Sequence, residues 1–219
     1  MRLELHPRRE ANQIASALSP VLAIALTMLA AVAVLAFTGF PALSVTRTLF
    51  LDPLLEPSRW PDLAVKAAPL AIIAVGLSIG FRANVWNIGA EGQYIMGAIA
   101  GTGVTLLTAK MEGGWILPAM LFAGVLGGMA WAAVPAVLRT RLGVSEILVS
   151  LMLTYVAVQF LYYLVRGPWK DPAGFNFPQT PMFTPAQTLP MLIEGSVLHM
   201  GAAAALVVAI LAWLVMKHS

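Results

Sequence analysis

The sequence predicts an all-α fold: a polytopic transmembrane helical bundle of about six spans with a short, broken second span. Of its 219 residues, 59% are hydrophobic and only 11% are charged, whereas a soluble domain has roughly 25% charged residues. The mean hydropathy is +0.84, and long uncharged runs recur along the chain. We therefore expect residues 1–219 to form a single transmembrane domain within a lipid bilayer.

The composition argues against several functions. The net charge of +3 is spread thinly, and no basic run with interleaved aromatic residues indicates a nucleic-acid partner. The chain has no cysteine, so it has neither a disulfide scaffold nor a thiolate metal site. The three histidines are far apart in sequence, and no phosphate-binding loop or nucleophile elbow is present. We expect no metal and no cofactor.

The first span is predicted from about 17 to 40, a run without charge. The polar segment 1–13 before it contains three arginines, Arg2, Arg8 and Arg9. A basic start followed by an apolar run also describes a signal peptide, but this run is too long and lacks a convincing small-residue cleavage site. We interpret 1–13 as a cytoplasmic N-terminus.

Residues 41–66 interrupt the apolar pattern. Four prolines, at positions 41, 53, 57 and 61, argue against one long helix. The segment is either interfacial, with Trp60 at the level of the lipid headgroups, or an ordinary loop.

The second span, about 64–81, is expected to be short. Only Ala67–Phe81 separates Lys66 from Arg82, which is about 22 Å of helix against a hydrocarbon core of about 30 Å. A proline and two glycines, Pro69, Gly76 and Gly80, interrupt it. A short, interrupted span next to polar residues is typical of a transporter's substrate path.

The polar turn that follows allows two interpretations. Its polar side chains are Arg82, Asn84, Asn87, Glu91 and Gln93. They either lie in water in a tight cytoplasmic turn, or line a substrate path, since ionisable groups at membrane depth are costly and usually face a cavity. Glu91 could be stabilised by a helix N-terminus, pair with Arg82, or contact a solute.

The chemistry of this turn suits binding better than catalysis. Amide side chains at Asn87 and Gln93 suit hydroxyl-rich or base-bearing solutes, and Trp86 and Tyr94 offer ring faces for stacking. No second carboxylate, histidine or serine is spaced to form a catalytic pair with Glu91. We therefore predict that the chain is not an enzyme.

Three further spans are predicted at about 89–107, 115–138 and 147–165, and a last one at about 197–216. Arg139 and Arg141 close the fourth, and Glu146 precedes the fifth. Residues 166–194 hold six of the fifteen prolines and should form a stiff external loop. Glycine pairs at 76/80, 97/101 and 124/128 predict close helix packing. The positive-inside rule favours cytoplasmic ends only weakly, by seven basic residues to six.

Two stretches resemble a known family. Residues 81–93 read FRANVWNIGAEGQ and residues 141–155 read RLGVSEILVSLMLTY. Both resemble the permease subunits of bacterial ABC importers for nucleosides and simple sugars, within the branched-chain amino acid and ribose permease group. The family commonly has FRAG, then Leu or Val, then FNIGAEGQ in the first stretch, so Asn84 and Trp86 replace a glycine and a phenylalanine. In the second, Ser145 and Thr154 replace asparagines.

The resemblance implies a multi-pass permease in the bacterial inner membrane that imports nucleosides. It implies a second permease subunit, identical or different, cytoplasmic ATPase subunits that hydrolyse ATP, and an extracytoplasmic substrate-binding protein that contacts the 166–194 loop. The implied substrate path has Trp86, Asn87, Glu91 and Gln93 beside it. The implied cytoplasmic coupling face has Arg139, Arg141 and Glu146.

Family members usually continue beyond the sixth span into a stretch like GxELRAVGxNPxAAxxxGI, which resembles a segment that contacts the ATPase. The present sequence ends before it, so we expect it to be the N-terminal part of a longer permease. Alternative hypotheses are a permease for ribose-like sugars, an ATP-independent carrier, and a membrane scaffold.

Overall fold

The computed structural model describes residues 13–218, which are mostly helical with no named strand among them. Eight α-helices follow one another in this described part: α1 Gln13–Phe37, α2 Ala42–Thr46, α3 Asp52–Leu55, α4 Trp60–Arg82, α5 Ala90–Leu107, α6 Ile116–Leu142, α7 Glu146–Arg166 and α8 Met200–His218. The all-α prediction is confirmed. The predicted cytoplasmic segment 1–13 lies, except for residue 13, outside the described residues.

The chain separates into two compact units at the bond between Leu63 and Ala64. The first unit contains α1 and a series of short turns: α2, a π-helical turn Arg47–Leu51, α3 and a 3₁₀ turn Pro57–Arg59. Each turn is brief because prolines recur through the segment and remove backbone donors. The indole of Trp60 donates to the carbonyl oxygen of Leu54 at 3.1 Å, which closes this series. Residues 41–59 contain no long helix, as predicted, but 60–66 belong to α4, so the predicted break ends earlier than expected.

Within residues 13–218, five helices are long and apolar enough to cross a membrane: Leu18–Phe37 within α1, Pro57–Arg82, which includes α4, and then α6, α7 and α8. α5 is the sixth long helix, with 18 residues. Its first turns contain Glu91 and Gln93, which lower its hydropathy. α5 packs between α6 and α7, so it needs a less apolar surface than a helix that faces lipid.

The prediction of a short, broken second span is wrong. α4 is one continuous helix of 23 residues, and Pro69 lies inside it. The helix begins at Trp60, so Lys66 is part of its second turn rather than a boundary. In an apolar environment a broken helix would leave backbone groups without partners, so a proline or glycine is tolerated within the helix.

Glycines bring the backbones of α5 and α6 into direct contact. A Cβ atom added at Gly97 would lie 2.9 Å from the carbonyl oxygen of Gly124, and one at Gly127 would lie 2.5 Å from the Cβ of Ala100. The pairs 97/101 and 124/128 therefore pack as predicted. By contrast, nothing lies within 4 Å of such an atom at Gly76, so the pair in α4 makes no such contact.

α5 approaches α7 just as closely through its first turn. A Cβ atom added at Gly89 would lie 2.6 Å from the backbone oxygen of Ser150, and one at Gly92 would lie 2.8 Å from the Cα of Thr154. Ser150 and Thr154 are buried, one helical turn apart on α7. Small residues on both helices permit this approach, which van der Waals contact then stabilises.

The Gly127→Leu variant tests this packing. Because the new side chain would overlap Ala100 and the backbone of Met96, we expect a loss of at least about 1–3 kcal/mol of stability, as overpacked cores show. Thermal unfolding in detergent, followed by tryptophan fluorescence, measures the loss. The matched control is Gly76→Ala, where space is open; a similar loss in both variants would contradict the packing described.

Candidate functional site

The turn between α4 and α5 adopts a specific backbone conformation. Asn84 has a φ angle of 55°, in the left-handed region that asparagine adopts more readily than other residues with a side chain. Its side-chain oxygen accepts a hydrogen bond from the indole of Trp86 at 3.3 Å, and the Trp86 ring lies 5.2 Å from that of Phe81. This conformation explains how Asn84 can occupy a position where glycine is common in the resembling family.

Asn87 and Gln93 form a reciprocal amide pair. The Nδ2 of Asn87 donates to Gln93 Oε1 at 3.0 Å, and the Nε2 of Gln93 donates to Asn87 Oδ1 at 3.3 Å. The backbone N–H of Gly89 also donates to Asn87 Oδ1, at 2.9 Å. This bond satisfies a backbone donor just before α5 begins, as a capping side chain does. The pair thus fixes the start of α5 and retains further amide hydrogens.

A cavity of about 320 Å³, here called the inner cavity, lies where α6 ends and α5 and α7 begin. The turn before α5 contributes Trp86 and Asn87, and α5 contributes Gln93. α6 contributes Pro135 and Arg139. The remaining polar lining residues are Thr140, Glu146 and Ser150. The cavity therefore combines two amides, two hydroxyls and an ion pair within mostly apolar walls.

The ion pair of this cavity joins α6 to α7. Arg139 in the last turn of α6 donates to Glu146 in the first turn of α7. Between them, Gly143 has a φ of 65°, and its N–H bonds to the carbonyl of Arg139, the 5→1 bond of an αL helix end. Each charge also complements the dipole of its own helix.

A second, larger cavity of about 850 Å³ runs between α5 and α6; we call it the α5–α6 groove. Its α5 wall runs from Gln93 to Thr102, its α6 wall from Leu117 to Val125, and the segment from Phe183 to His199 lies across it. Gln93 lines both the groove and the inner cavity. Gln93 therefore lies between the two spaces.

The structure unites residues that the sequence had assigned to two sites. Trp86, Asn87 and Gln93, predicted for the substrate path, share the inner cavity with Arg139 and Glu146, predicted for the coupling face. Glu91 and Arg141 are exposed and line neither the inner cavity nor the groove. Their roles in the substrate path and the coupling face stay predictions.

Sequence reasoning missed two features of this region. Ser150 lines the inner cavity and, with Thr154, contacts α5. Two small residues spaced by four on α7 were a detectable signal for this packing. Gln187 reaches the groove from a loop distant in sequence, and no local pattern indicates such a contact.

The helices of membrane-spanning length among the described residues define a multi-pass membrane protein. The chain belongs to the family described as the branched-chain amino acid transport system permease component, whose profile matches residues 61–219.

Several curated relatives are similar to most of the chain. A glucose ABC transporter permease protein of Haloferax volcanii is 36% identical over 196 residues, which covers 88% of this chain and 50% of the relative. A guanosine ABC transporter permease protein of Bacillus subtilis is 26% identical over 206 residues, covering 92% and 58% respectively. The chain thus spans about half the length of the relatives it matches. No solved structure matches it.

The left-handed backbone conformation of Asn84 predicts how substitutions at this position change thermal stability. Asn84→Gly should leave thermal stability unchanged within about 1 kcal/mol, because glycine adopts this conformation freely. Asn84→Val should lose about 1–3 kcal/mol, because a branched side chain is strained there. Thermal unfolding in detergent compares the two variants; equal stability of both would contradict the conformation of the turn.

Proposed function

We propose that the chain is part of a permease subunit of an ATP-driven importer that moves nucleosides across the cytoplasmic (inner) membrane. Membership of the permease family supports transport as the activity. Relatives named as guanosine and nucleoside transporter permeases support the solute class. ATP hydrolysis belongs, in this proposal, to separate ATPase subunits.

The observation that carries the proposal is the shared position of Gln93. Its amide lies where the α5–α6 groove meets the inner cavity, so a solute moving from one space to the other would pass it. Both volumes lie in the range of about 300–1,000 Å³ typical of small-molecule sites. We propose Trp86, Asn87 and Gln93 as path-lining residues, with Glu91 close to them in the first turn of α5.

The lining chemistry suits a solute with an aromatic base and hydroxyl groups. The groove presents the rings of Tyr94 and Phe183 together with His199, and a nucleobase can pack against ring faces. Gln93 and Asn87 can donate to and accept from hydroxyl or base groups. A simple sugar is the second candidate, because the glucose permease relative is 36% identical.

The proposal also assigns positions to the partner subunits. The face bearing Arg139, Arg141 and Glu146 would dock on the ATPase subunit, and the 166–194 loop would face the substrate-binding protein. A second permease subunit, identical or different, would complete the membrane complex. If so, the inner cavity lies beside the ATPase, and movement of the α6–α7 connection changes its walls.

The Gln93→Leu variant tests the path. We expect uptake of labelled nucleoside by cells that contain the partner subunits to fall about tenfold, since the amide can contribute about 0.5–1.5 kcal/mol per hydrogen bond to a passing solute. The amount of variant in the membrane is measured in parallel. Competition by unlabelled glucose or ribose, added to wild-type cells, distinguishes a sugar permease from a nucleoside permease.

The matched control is Gln159→Leu, the same change at an exposed position on α7, which should leave uptake unchanged. Normal uptake by Gln93→Leu would remove Gln93 from the path. Uptake that persists after the ATPase subunit is deleted would indicate an ATP-independent carrier, and the absence of any uptake would favour a scaffold.

The orientation is tested with a single cysteine. Gln179 is exposed in the 166–194 loop, and the chain has no native cysteine. The Gln179→Cys variant should react with a membrane-impermeant maleimide added to right-side-out vesicles. Reaction only in inverted vesicles would place this loop in the cytoplasm.

A further inference from the structure

The loop between α7 and α8 is fixed to the end of α5 by a buried amide. The side chain of Gln187 is only 3% exposed, and those of Thr105 and Thr108 are 3% and 4% exposed. The Nε2 of Gln187 donates to the backbone oxygen of Thr105 at 3.0 Å and to Thr108 Oγ1 at 3.3 Å. These residues are about 80 positions apart in sequence, so the contact holds two distant segments together.

The same amide also shapes its own turn. Its Oε1 accepts a hydrogen bond from the backbone N–H of Thr184 at 2.9 Å, and Pro185–Gln187 forms a 3₁₀ turn. Gln187 thus links the turn to the end of α5 through its amide NH2 group and holds the turn itself through its amide oxygen. Truncation of this side chain would release the turn without removing an apolar wall.

The 184–187 turn separates two spaces. On one side, its first three residues and the α5–α6 connection, 109–114, line a polar pocket of about 630 Å³. On the other side, Gln187 and the segment that follows line the α5–α6 groove. The turn therefore lies between this pocket and the groove.

We propose that the 184–187 turn is the outer gate of the α5–α6 groove and that Gln187 is its latch. Opening breaks the bonds from Gln187 to Thr105 and Thr108 and joins the polar pocket to the groove. The residue acts by positioning the turn rather than by binding the solute. The role of the gate in admitting a solute rests on the proposed transport function. Opening of the turn itself can be measured without transport.

The test uses a reporter cysteine at Thr102, which lines the groove, in the otherwise cysteine-free chain. Right-side-out vesicles without added solute or ATP are treated with a membrane-impermeant maleimide, and the labelling rate is followed by mass shift. Adding Gln187→Ala to the reporter chain should raise this rate roughly tenfold, because two hydrogen bonds that hold the closed state are lost.

Two companion variants keep the test decisive. Gln179→Ala makes the same change at an exposed position of the same loop and should leave the rate unchanged. Thr108→Val keeps the shape of the side chain but removes the hydroxyl that accepts from Gln187, and should raise the rate by a smaller factor. Thermal unfolding of each variant checks that the fold is retained.

An unchanged rate in both folded variants, Gln187→Ala and Thr108→Val, would overturn the gate. Faster labelling by Gln179→Ala as well would also overturn it, because the loop would then loosen without any role for the latch. Faster labelling limited to the latch variants, with no nucleoside uptake by the wild-type complex, would support the gate and reject the proposed solute.

Discussion

The close approach of α5 to α6 and α7 is the constraint on which the rest of unit 64–218 depends. Lipid gives two apolar helices no hydrophobic reason to associate, so van der Waals contact between backbones must hold them. Glycines such as Gly92, Gly97 and Gly127 remove the side chains that would keep the backbones apart. Once α5 is enclosed on two sides, Gln93 near its start lies between two cavities, while Glu91 stays exposed.

This packing also accounts for the division of polar groups along α5. At one end, Asn87 and Gln93 satisfy each other and line the inner cavity. At the other end, Thr105 and Thr108 receive the amide of Gln187. Between these ends the groove wall is almost entirely apolar. On the proposed path, a polar solute would meet the amides of Gln93 and Gln187 at the two ends of the groove and few hydrogen-bonding groups between them.

The sequence predicted those helices whose ends are marked by charged or polar residues. The range 89–107 anticipated α5 closely, because the polar turn and Lys110 limit it, and Glu146 and Arg166 bounded α7. Proline and glycine led to the wrong prediction of a broken α4, since Pro69 does not interrupt a helix in apolar surroundings. In the candidate site, Asn87 and Gln93 were predictable from polarity alone. The shared cavity that brings them close to Arg139, and the hydrogen bonds of Gln187, depend on tertiary contacts. The spacing of residues along the sequence does not predict such contacts.

One hydrogen bond at the end of α4 ties the polar turn to a distant helix. Arg82 donates from its guanidinium to the carbonyl oxygen of Met216 at 2.7 Å, in the last turn of α8, where carbonyls lack donors within the helix. The positive charge also meets the negative end of the α8 dipole. The start of the turn after Arg82 is thus held to α8 by this hydrogen bond. It can move away only if α8 moves with it or the Met216 carbonyl loses this donor.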